Sequence, residues 1–392
     1  MYDVIVVGGG IAGCSSAIQL SSLGKKVLLL ERGKVPAHKI CGEFLSTEVA
    51  SMLNKLGLLD AIISGGASPI NSVLLTTLSG GQMTKKLPGT AYGFSRYEFD
   101  RLLYEKASEM GVDCRKETAV LDIEGSLDIG FVVKTEEHVF ESRMVIGAYG
   151  KKAHPVHEAS PKPTQGHYVA YKQHYIGPGP IDTVEVHVFD RGYCGINTVE
   201  DGIVNVCWLA HRSLLNEHGG KREAVAQSVL TKNLALSKRL AGLTPVEGTL
   251  CAIGGVSLAS KGRFLNDISL IGDSSQMIAP FCGDGMGMAL RSSEVAAPLC
   301  AAFLDGTLTR EQFVAAYSEN WKHEFGQRIA LGKILQQAAL STCSANVALS
   351  VLTYAPKAVD WLLTHTRGSA PNSSTQPSIV NPGPKASPMP NP

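Results

Sequence analysis

Apolar residues occur along this chain in two patterns, continuous runs and alternating positions, and each predicts a different kind of strand. Residues 3–7 (DVIVV) and 27–30 are continuous apolar runs, which are typical of parallel strands buried on both faces. The segment between them, up to Leu23, has the apolar spacing of an amphipathic helix, which Gly24 closes. The chain therefore begins with a predicted βαβ unit.

The alternating pattern lies in the middle of the chain. Three segments alternate apolar and polar residues: 166–176, 183–189 and 203–209. In the second segment Val184, Val186 and Val188 share one face. We expect these segments to form an antiparallel sheet that is covered on one side.

Local signals predict the remaining elements. Ser95 and Glu98 have the spacing of a capping box and begin a helix. Its apolar face consists of Phe99, Leu102, Leu103, Ala107 and Met110. Residues 268–271 are a short apolar strand, a further helix begins at about Met288, and residues 311–340 are predicted to form an amphipathic helix pair.

Composition and charge narrow the function classes. The chain has 392 residues, of which 44% are hydrophobic and 18% charged, so it can bury a large core. It carries 36 Lys and Arg against 35 Asp and Glu, which leaves no excess positive charge for phosphate contacts. Nine scattered cysteines without a C-x-x-C pair indicate reduced thiols. We expect a cytoplasmic protein with no nucleic-acid partner and no metal site.

The first residues, MYDVIVVGGG, lack the basic segment and the cleavage site of a signal peptide, so they are interpreted as the first strand. The later apolar stretches are too short for a membrane span or are interrupted by proline and charge. We therefore expect no integral span, while peripheral contact with a membrane stays open.

The first strand leads into a glycine-rich loop that is typical of dinucleotide binding. Gly8, Gly10 and Gly13 form the pattern G-x-G-x-x-G, and Glu31 follows the second strand. Gly8 permits the tight turn, Gly10 lets the backbone approach a pyrophosphate, and Gly13 lets the helix pack on the strand. The N–H groups at the helix N-terminus suit phosphates, and Glu31 suits the adenosine ribose hydroxyls.

A second glycine-rich helix start follows the strand at 268–271. Asp273, which follows Gly272, has the side chain to bind a polyol hydroxyl, and the backbone N–H groups of 280–287 (PFCGDGMG) suit another polar group of the same cofactor. Two such helix starts predict one extended dinucleotide. Because only one complete G-x-G-x-x-G unit is present, no separate NAD(P)H domain is expected.

These motifs resemble those of the FAD-dependent oxidoreductases of the para-hydroxybenzoate hydroxylase superfamily. The resemblance implies that Gly272 and Asp273 hold the ribityl and pyrophosphate part of FAD, and that the following helix points at the pyrimidine edge of the flavin. The segment that begins at Arg96 resembles the family's R-x-x-x-D-x-x-L, which implies that Arg96 faces FAD. Tyr149 stands where the family has the Asp of Ala-Asp-Gly, so the role of that Asp does not carry over.

The chain resembles the geranylgeranyl reductase-related branch in particular. Residues 39–43 (KICGE) are similar to its K-x-C-G-G segment beside the flavin, with Glu43 in place of the second glycine. Gly192-Tyr193 and 202–206 (GIVNV) are similar to its substrate-domain hairpin, although the usual proline is absent. Four further residues resemble its C-terminal helical segment: Tyr317, Trp321, Phe325 and Gly332.

The residues expected to bind FAD lie in several short segments. They are Gly8, Gly10, Ile11, Ala12 and Gly13, then Glu31, Arg32, Lys39, Cys41, Gly42, Arg96 and Val120, then Gly272 and Asp273, and finally Gly283, Gly285, Met286 and Gly287. No catalytic residue is assigned. NAD(P)H is expected as a transient electron donor.

Several of these side chains have a plain alternative. No base stands beside Cys41 in the sequence, so we expect a residue that shapes the flavin site rather than a nucleophile. Lys39 either is solvated or contacts phosphate or flavin, and Arg96 either faces FAD or lies on the surface near the helix cap. Four aromatic residues either line an apolar substrate cavity or belong to the core: Tyr168, Tyr171, Tyr193 and Trp208.

The predicted fold class is α/β, with a Rossmann-like FAD-binding domain, an inserted antiparallel-sheet substrate domain and C-terminal helices. The FAD-binding domain is expected to be discontinuous, comprising 1–70, 95–155 and 262–310. The substrate domain comprises 71–94 and 156–261. A helical segment, 311–366, precedes a tail, 367–392, which contains seven prolines and is expected to be disordered.

Three function classes remain for such a fold. We favour a flavin monooxygenase that hydroxylates or epoxidises a hydrophobic or aromatic small molecule. The alternatives are a flavin-dependent reductase of prenyl double bonds and a non-catalytic FAD-binding maturation factor. Halogenase chemistry is disfavoured because the chain has no W-x-W-x-I-P segment. The cofactor supplies the difficult chemistry in both enzymes, so residue motifs distinguish them poorly.

Overall fold

A computed structural model of the chain describes residues 1–151, 166–259 and 262–366. The predicted tail lies outside these residues. The strands are β1 Tyr2–Val7, β2 Val27–Leu30, β3 Phe44–Leu45, β4 Ser68–Thr76, β5 Gln82–Gly93, β6 Asp113–Arg115, β7 Val120–Ser126, β8 Gly130–Thr135, β9 Val139–Gly147, β10 Tyr168–Ile176, β11 Thr183–Phe189, β12 Gly192–Thr198, β13 Val204–His211, β14 Thr244–Pro245, β15 Cys251–Val256, β16 Phe264–Leu265 and β17 Ile268–Leu270.

The helices connect these strands and close the chain. They are α1 Ile11–Ser22, α2 Val49–Lys55, α3 Leu59–Ser64, α4 Arg96–Glu109, α5 Arg212–Glu217, α6 Arg222–Ser228, α7 Leu234–Ala241, α8 Gly285–Leu304, α9 Arg310–Leu340, α10 Thr342–Tyr354 and α11 Pro356–Thr366. Two short 3₁₀ turns, Gly272–Ser274 and Pro280–Cys282, lie between β17 and α8.

The first sheet contains the predicted βαβ unit. Its strands are ordered β16-β17-β9-β1-β2-β6, and β17, β9, β1, β2 and β6 run parallel. The hairpin β7–β8 joins the sheet through an antiparallel pairing of β8 with β9. Strands β1 and β2 are buried along almost their whole length, as their continuous apolar runs predict. Helices α1, α4, α8 and α9 pack against this sheet or one another, forming one large hydrophobic core.

The second sheet is ordered β14-β10-β13-β12-β11-β4-β5-β3, with β15 paired to β10. All its pairings are antiparallel except that of β4 with β11. Its strands come from two separate parts of the chain. Residues 44–45 and 68–70, which the sequence assigns to the FAD-binding domain, lie in this sheet instead.

The second sheet is covered on both faces rather than on one. Its outer face packs against α5, α6 and α7, and its inner face packs towards the first sheet and its helices. On β11 the predicted alternation is present, but the fully buried positions are Glu185, His187 and Phe189 as well as Val188. Burial of Glu185 and His187 is possible because they pair with each other at 3.1 Å and Glu185 also pairs with Arg239 of α7.

Three predicted elements differ from the structure. Residues 311–340 form the single helix α9 rather than a helix pair. The segment contains no proline to interrupt the backbone hydrogen bonds, and its two glycines, Gly326 and Gly332, are helical. Helix α8 begins at Gly285 rather than at about Met288. Met110, predicted on the apolar face of α4, follows the last helical residue and is exposed.

Candidate functional site

The candidate site lies where the parallel strands of the first sheet end. Strands β1, β9 and β17 end at Val7, Gly147 and Leu270, which are neighbours in the pairing register. The glycine loop follows β1 and the turn Gly272–Ser274 follows β17. The carboxyl edge of a parallel sheet is where such folds bind nucleotides, so the two glycine-rich segments come together as predicted.

The first glycine loop has the form that a phosphate needs. A Cβ atom at Gly13 would lie 1.8 Å from the carbonyl oxygen of Gly8, and Gly8 itself has φ +114°. In contrast, a Cβ atom at Gly10 would meet nothing within 4 Å. Gly10 is the N-cap of α1, and no side chain caps the helix. The free N–H groups that follow, including those of Ile11 and Ala12, are therefore available to an anion.

Glu31 lies beside this loop, directly after β2. Its Oε2 accepts a hydrogen bond from the N–H of Gly9 at 2.7 Å, and its Oε1 accepts one from the N–H of Gly33 at 2.8 Å. These bonds fix the carboxylate against the glycine loop. Glu31 therefore lies at the loop, whereas Arg32 next to it is exposed.

The Gly272-Asp273 turn contacts the start of α1. Gly272 has φ +57°, and a Cβ atom there would lie 2.9 Å from the Cβ of Ala12. The N–H of Gly272 donates to Ser292 Oγ of α8 at 2.9 Å. Asp273 is half-buried on the same turn. The turn therefore joins the two helix N-termini in one site.

The N-terminus of α8 presents its backbone in the same way. Gly285 is exposed, and a Cβ atom there would meet nothing within 4 Å. Gly283 has φ +66° and lies near Phe44. Met286 is buried, and a Cβ atom at Gly287 would lie 2.4 Å from Asp284 Oδ1. Gly285 therefore borders open space, while Gly287 is needed for internal packing.

Arg96 and Lys39 both pair with Asp100, which was not among the residues expected to bind FAD. Asp100 on α4 accepts two hydrogen bonds from Arg96, each 2.9 Å, and its Oδ2 lies 2.8 Å from Lys39 Nζ. Burial alone would raise the pKa of Asp100, but the charges of Arg96 and Lys39 lower it below the usual value. The spacing of Arg96 and Asp100, four residues apart on one helix, was the sequence signal for this pair.

The loop containing Cys41 and Gly42 is bound to the inner face of the second sheet. Asn205 Nδ2 donates to the carbonyl oxygen of Cys41 at 3.3 Å, and Asn197 Nδ2 donates to that of Glu43 at 3.0 Å. Gly42 is exposed, and a Cβ atom there would meet nothing within 4 Å. Cys41 itself is half-buried. The loop thus lies between the two sheets.

Glu43 has a role that its position in the motif did not reveal. Its Oε2 lies 2.6 Å from His174 Nε2, and its Oε1 lies 2.9 Å from Lys172 Nζ. Burial alone would raise the pKa of Glu43, but the hydrogen bond from His174 and the charge of Lys172 lower it below the usual value. We call Glu43, Lys172 and His174 the Glu43 cluster. The alternation of β10 was the only sequence signal that placed Lys172 and His174 on one face.

The four aromatic candidates divide between the two faces of the second sheet. Tyr193 and Tyr168 belong to the inner face, where Tyr193 packs edge-on against Phe281 with ring centres 5.2 Å apart. Tyr171 and Trp208 stack on the outer face with ring centres 4.5 Å apart. Only Tyr168 and Tyr193 are therefore placed to line a cavity between the sheets.

The remaining two positions are Val120 and Tyr149. Val120 is buried in the core at the start of β7. Tyr149 follows β9 at the edge of the parallel sheet, and burial raises the pKa of its hydroxyl above the usual value.

A second buried charge cluster lies under the N-terminus of α8. Glu48 Oε2 accepts from Arg328 of α9 at 2.7 Å, and Arg328 lies 3.8 Å from Asp284. Ser46 Oγ donates to Asp284 Oδ1 at 2.8 Å. Burial and the charge of Asp284 raise the pKa of Glu48 to about 8, despite the opposing charge of Arg328.

The residues present fit a bound dinucleotide. Cβ positions at Gly10, Gly42 and Gly285 open onto space rather than protein. Asn205 is fully buried, yet its Oδ1 accepts no hydrogen bond from the described residues. A buried acceptor without a donor is rare in native proteins, and a ligand group satisfies it. Within the described ranges no cluster of His, Cys, Asp and Glu is arranged to hold a metal, and no helix there is long and apolar enough to cross a bilayer.

Comparisons of sequence agree with this geometry. The family model for the FAD binding domain matches residues 1–180. The chain is 28% identical to digeranylgeranylglycerophospholipid reductase 2 of Methanopyrus kandleri, across 83% of this chain and 83% of the relative. It is 24% identical to digeranylgeranylglycerophospholipid reductase 1 of Methanococcoides burtonii, across 87% of this chain and 84% of the relative.

Comparisons of structure show the same fold. The flavin-dependent brominase Bmp2 matches with a TM-score of 0.77 at 17% identity, covering 92% of this chain and 93% of the brominase. PqsL of Pseudomonas aeruginosa, described as a probable FAD-dependent monooxygenase, matches with a TM-score of 0.69 at 16% identity, covering 88% of this chain and 98% of PqsL. These likenesses confirm the predicted fold class.

Proposed function

Since the chain belongs to the FAD-dependent oxidoreductases of the para-hydroxybenzoate hydroxylase superfamily, we propose that it uses FAD to reduce isoprenoid-type double bonds of a hydrophobic substrate. FAD, when bound, supplies hydride at its flavin ring. The residues proposed to hold its phosphates are those of the glycine loop and of the α8 N-terminus. Glu31 and Asp273 are proposed to bind its ribose and ribityl hydroxyls.

The observation that carries this proposal is the position of the Cys41 loop. Its carbonyl groups are held by Asn205 and Asn197 of the inner face, so the loop closes the space between the two sheets. Further along the same strands the inner face is apolar, with Ala170, Leu209 and Val256 in one cluster together with partly buried Ile40 and Tyr193. An apolar wall beside the redox end of the site suits a hydrocarbon chain better than a charged metabolite.

The relatives support the same choice. Two of them are named digeranylgeranylglycerophospholipid reductases, and they align with this chain over more than four fifths of its length. This support reverses the order of preference given by the sequence motifs alone, in which the monooxygenase came first. A substrate of this kind resides in a lipid surface, so the proposal includes peripheral contact with a membrane, and the reduced thiols favour a cytoplasmic location.

A single experiment with two arms tests the proposed reaction. The FAD-loaded protein is reduced under anaerobic conditions and mixed with an isoprenoid phospholipid, and the product is analysed by mass spectrometry. Reduction predicts a gain of two hydrogen atoms for each double bond and needs no O₂. Failure of every isoprenoid lipid to gain hydrogen, with FAD fully bound and reduced, would contradict the proposal.

The second candidate is the monooxygenase. It is favoured by the likeness of the fold to PqsL, and its test is the second arm of the same experiment. Admission of O₂ to the reduced protein with substrate present predicts a product that has gained one oxygen atom. NADH and NADPH are supplied separately in both arms, because the proposal includes a transient nicotinamide donor.

A further inference from the structure

A cavity of about 250 Å³ borders the Glu43 cluster at its His174 end. His174 lines this cavity together with residues of the loop before the Cys41 segment, of α4 and of the turn before β13. Its lining residues include His38, Tyr97, Glu98, Glu200 and Ile203. Gly65 and Asp201 at its margin are exposed, so the cavity opens to solvent. We call it the His38 cavity.

His174 connects the His38 cavity with the buried carboxylate. Its ring lies edge-on to that of His38 with centres 5.2 Å apart, and His38 lies 4.9 Å from the ring of Tyr97. On the other side, its Nε2 is 2.6 Å from Glu43 Oε2. His174 therefore contacts both the His38 cavity, which opens to solvent, and the buried carboxylate of Glu43.

Lys172 lies on the other side of Glu43 from His174. It is fully buried, and among the described residues its Nζ has an ion pair with Glu43 but no acceptor at an angle suited to a hydrogen bond. Two of its register neighbours on that face are Cys207 and Cys251. One N–H group faces Glu43, and the others can donate to a group on the inner face.

We propose that the Glu43 cluster conducts the proton that the protein takes up when bound flavin is reduced, from the His38 cavity to the inner face of the second sheet. The inference rests on the proposed FAD site. It assigns Glu43, Lys172 and His174 to proton transfer rather than to substrate binding.

The proposed transfer balances without any further reactant. Lys172 releases a proton from Nζ to reduced flavin, which is the proposed acceptor when FAD is bound. Glu43 Oε2 takes a proton from His174 Nε2, and rotation of the carboxyl group brings that proton to Lys172 Nζ. His174 regains its proton from water in the His38 cavity. The path returns to its first state, one proton leaves the solvent, and no electron moves along it. At neutral pH the lowered pKa of Glu43 keeps the carboxylate ionised, so it holds both donors in contact.

Other titratable groups surround the path and set its pH range. They are His38 on the preceding loop, Tyr97 and Glu98 on α4, Glu200 and Asp201 on the turn before β13, Cys207 on β13, Cys251 on β15, and Cys41. Burial, followed by the charges of Lys172 and His174, lowers the pKa of His38. His38 is therefore mostly neutral at pH 7 and does not block the cavity with a second positive charge.

The test measures proton uptake directly rather than turnover. The FAD-loaded protein is reduced by a light flash in anaerobic, weakly buffered solution with EDTA as the electron donor. A pH-indicator dye reports how fast protons leave the solvent, and a sample of free FAD with EDTA supplies the blank. We expect Glu43→Gln and His174→Gln to slow this uptake by about tenfold or more, while the number of protons taken up is unchanged. Uptake at the wild-type rate in both variants would overturn the inference.

A matched control lies on the outer face of the same sheet. Glu185 and His187 form a buried carboxylate–imidazole pair at 3.1 Å, closed off by Arg239. Glu185→Gln and His187→Gln remove the same chemical groups without touching the path. We expect proton uptake at the wild-type rate in both.

Ile203→Phe provides a variant that leaves the buried charges in place. Ile203 lines the His38 cavity, so a larger side chain fills space that water needs to reach His174. We expect slower uptake with FAD content unchanged, and an unchanged rate would count against the inference even if the Glu43 and His174 variants fail to fold. Absence of FAD binding in the wild-type protein would be seen before the flash, and would overturn the proposed function and the inference with it.

Discussion

Glu43 adopts a backbone conformation that residues with side chains rarely take, with φ +52°. The resemblance to K-x-C-G-G explains why: the position suits glycine, and this chain has a carboxylate there instead. The left-handed conformation costs roughly 1–2 kcal/mol. The contacts with Lys172, His174 and the N–H of Arg96 outweigh that cost.

Glu43→Gly tests which of the two effects is larger. The substitution relieves the backbone but leaves Lys172 buried without a counter-charge, a loss that typically costs about 3–5 kcal/mol. We expect a net fall in the free energy of unfolding of about 1–4 kcal/mol, measured by urea unfolding. The double variant Glu43→Gly, Lys172→Met should recover most of the lost stability. A loss in the double variant equal to the sum of the two single losses would show that Glu43 does not stabilise the buried charge of Lys172.

Gly10→Val separates cofactor binding from folding. Because a Cβ at Gly10 meets no protein atom within 4 Å, the apoprotein should unfold at nearly the wild-type temperature. FAD affinity should fall by about tenfold or more, equivalent to about 1.4 kcal/mol or more. Gly13→Ala is the counterpart, since its Cβ would lie 1.8 Å from a carbonyl oxygen and should lower the unfolding temperature itself. Normal FAD affinity in Gly10→Val would contradict the phosphate site.

At the scale of elements, local motifs predicted where α4 begins but not the distant residues that complete its cap. Ser95 caps α4 by accepting from the N–H of Glu98, as predicted. The reciprocal bond, however, comes from Glu200, which accepts from the N–H of Ser95, while Glu98 pairs with Arg101. A partner that is distant in sequence, such as Glu200, cannot be predicted from a local pattern. The same is true of Arg328 of α9, which donates to Glu48, a residue 280 positions earlier in the chain.

The buried carboxyl group of Glu48, which precedes α2 and contacts Arg328 of α9, makes stability depend on pH. The pKa of Glu48 is about 8 in the folded protein against 4.5 for the free residue, so between these values the folded state holds a proton that the unfolded state lacks. The stabilisation is complete below pH 4.5 and is lost as the pH rises towards 8.

Glu48→Gln removes this titration. Relative to wild type, its free energy of unfolding should rise between pH 5 and pH 8, by at most about 1.4 kcal/mol for each pH unit. Urea unfolding at several pH values measures the difference. Parallel pH profiles of the two proteins would show that Glu48 is not protonated in the folded state.

At the scale of the whole molecule, the candidate site is made by both sheets. The first sheet supplies the glycine loop and α8, and the inner face of the second supplies the groups that hold the Cys41 loop. The sequence predicted the two sheets and the edge where nucleotide binds, because periodicity and glycine spacing are local. Which aromatic residues face inwards depends on strand register, which no local pattern contains.

FAD should therefore stabilise both parts of the molecule together. Free FAD at a hundred times its Kd should add about 2.7 kcal/mol to the free energy of unfolding. Trp208 reports on the second sheet and Trp321 on α9, and both are buried. Variants that retain only one of them, with the others changed to Phe, should show equal shifts in fluorescence-monitored unfolding. A shift confined to Trp321 would place the cofactor away from the second sheet.

The parallel pairing of β4 with β11 has a consequence for synthesis of the chain. Ser72 pairs with Thr183, so β4 leaves the ribosome long before its partner exists. Until then one edge of the β4–β5 hairpin presents unpaired N–H and C=O groups, which attract other strands. A fragment that ends before residue 183, even one that contains the whole first glycine loop, would keep this edge permanently and should aggregate when expressed alone.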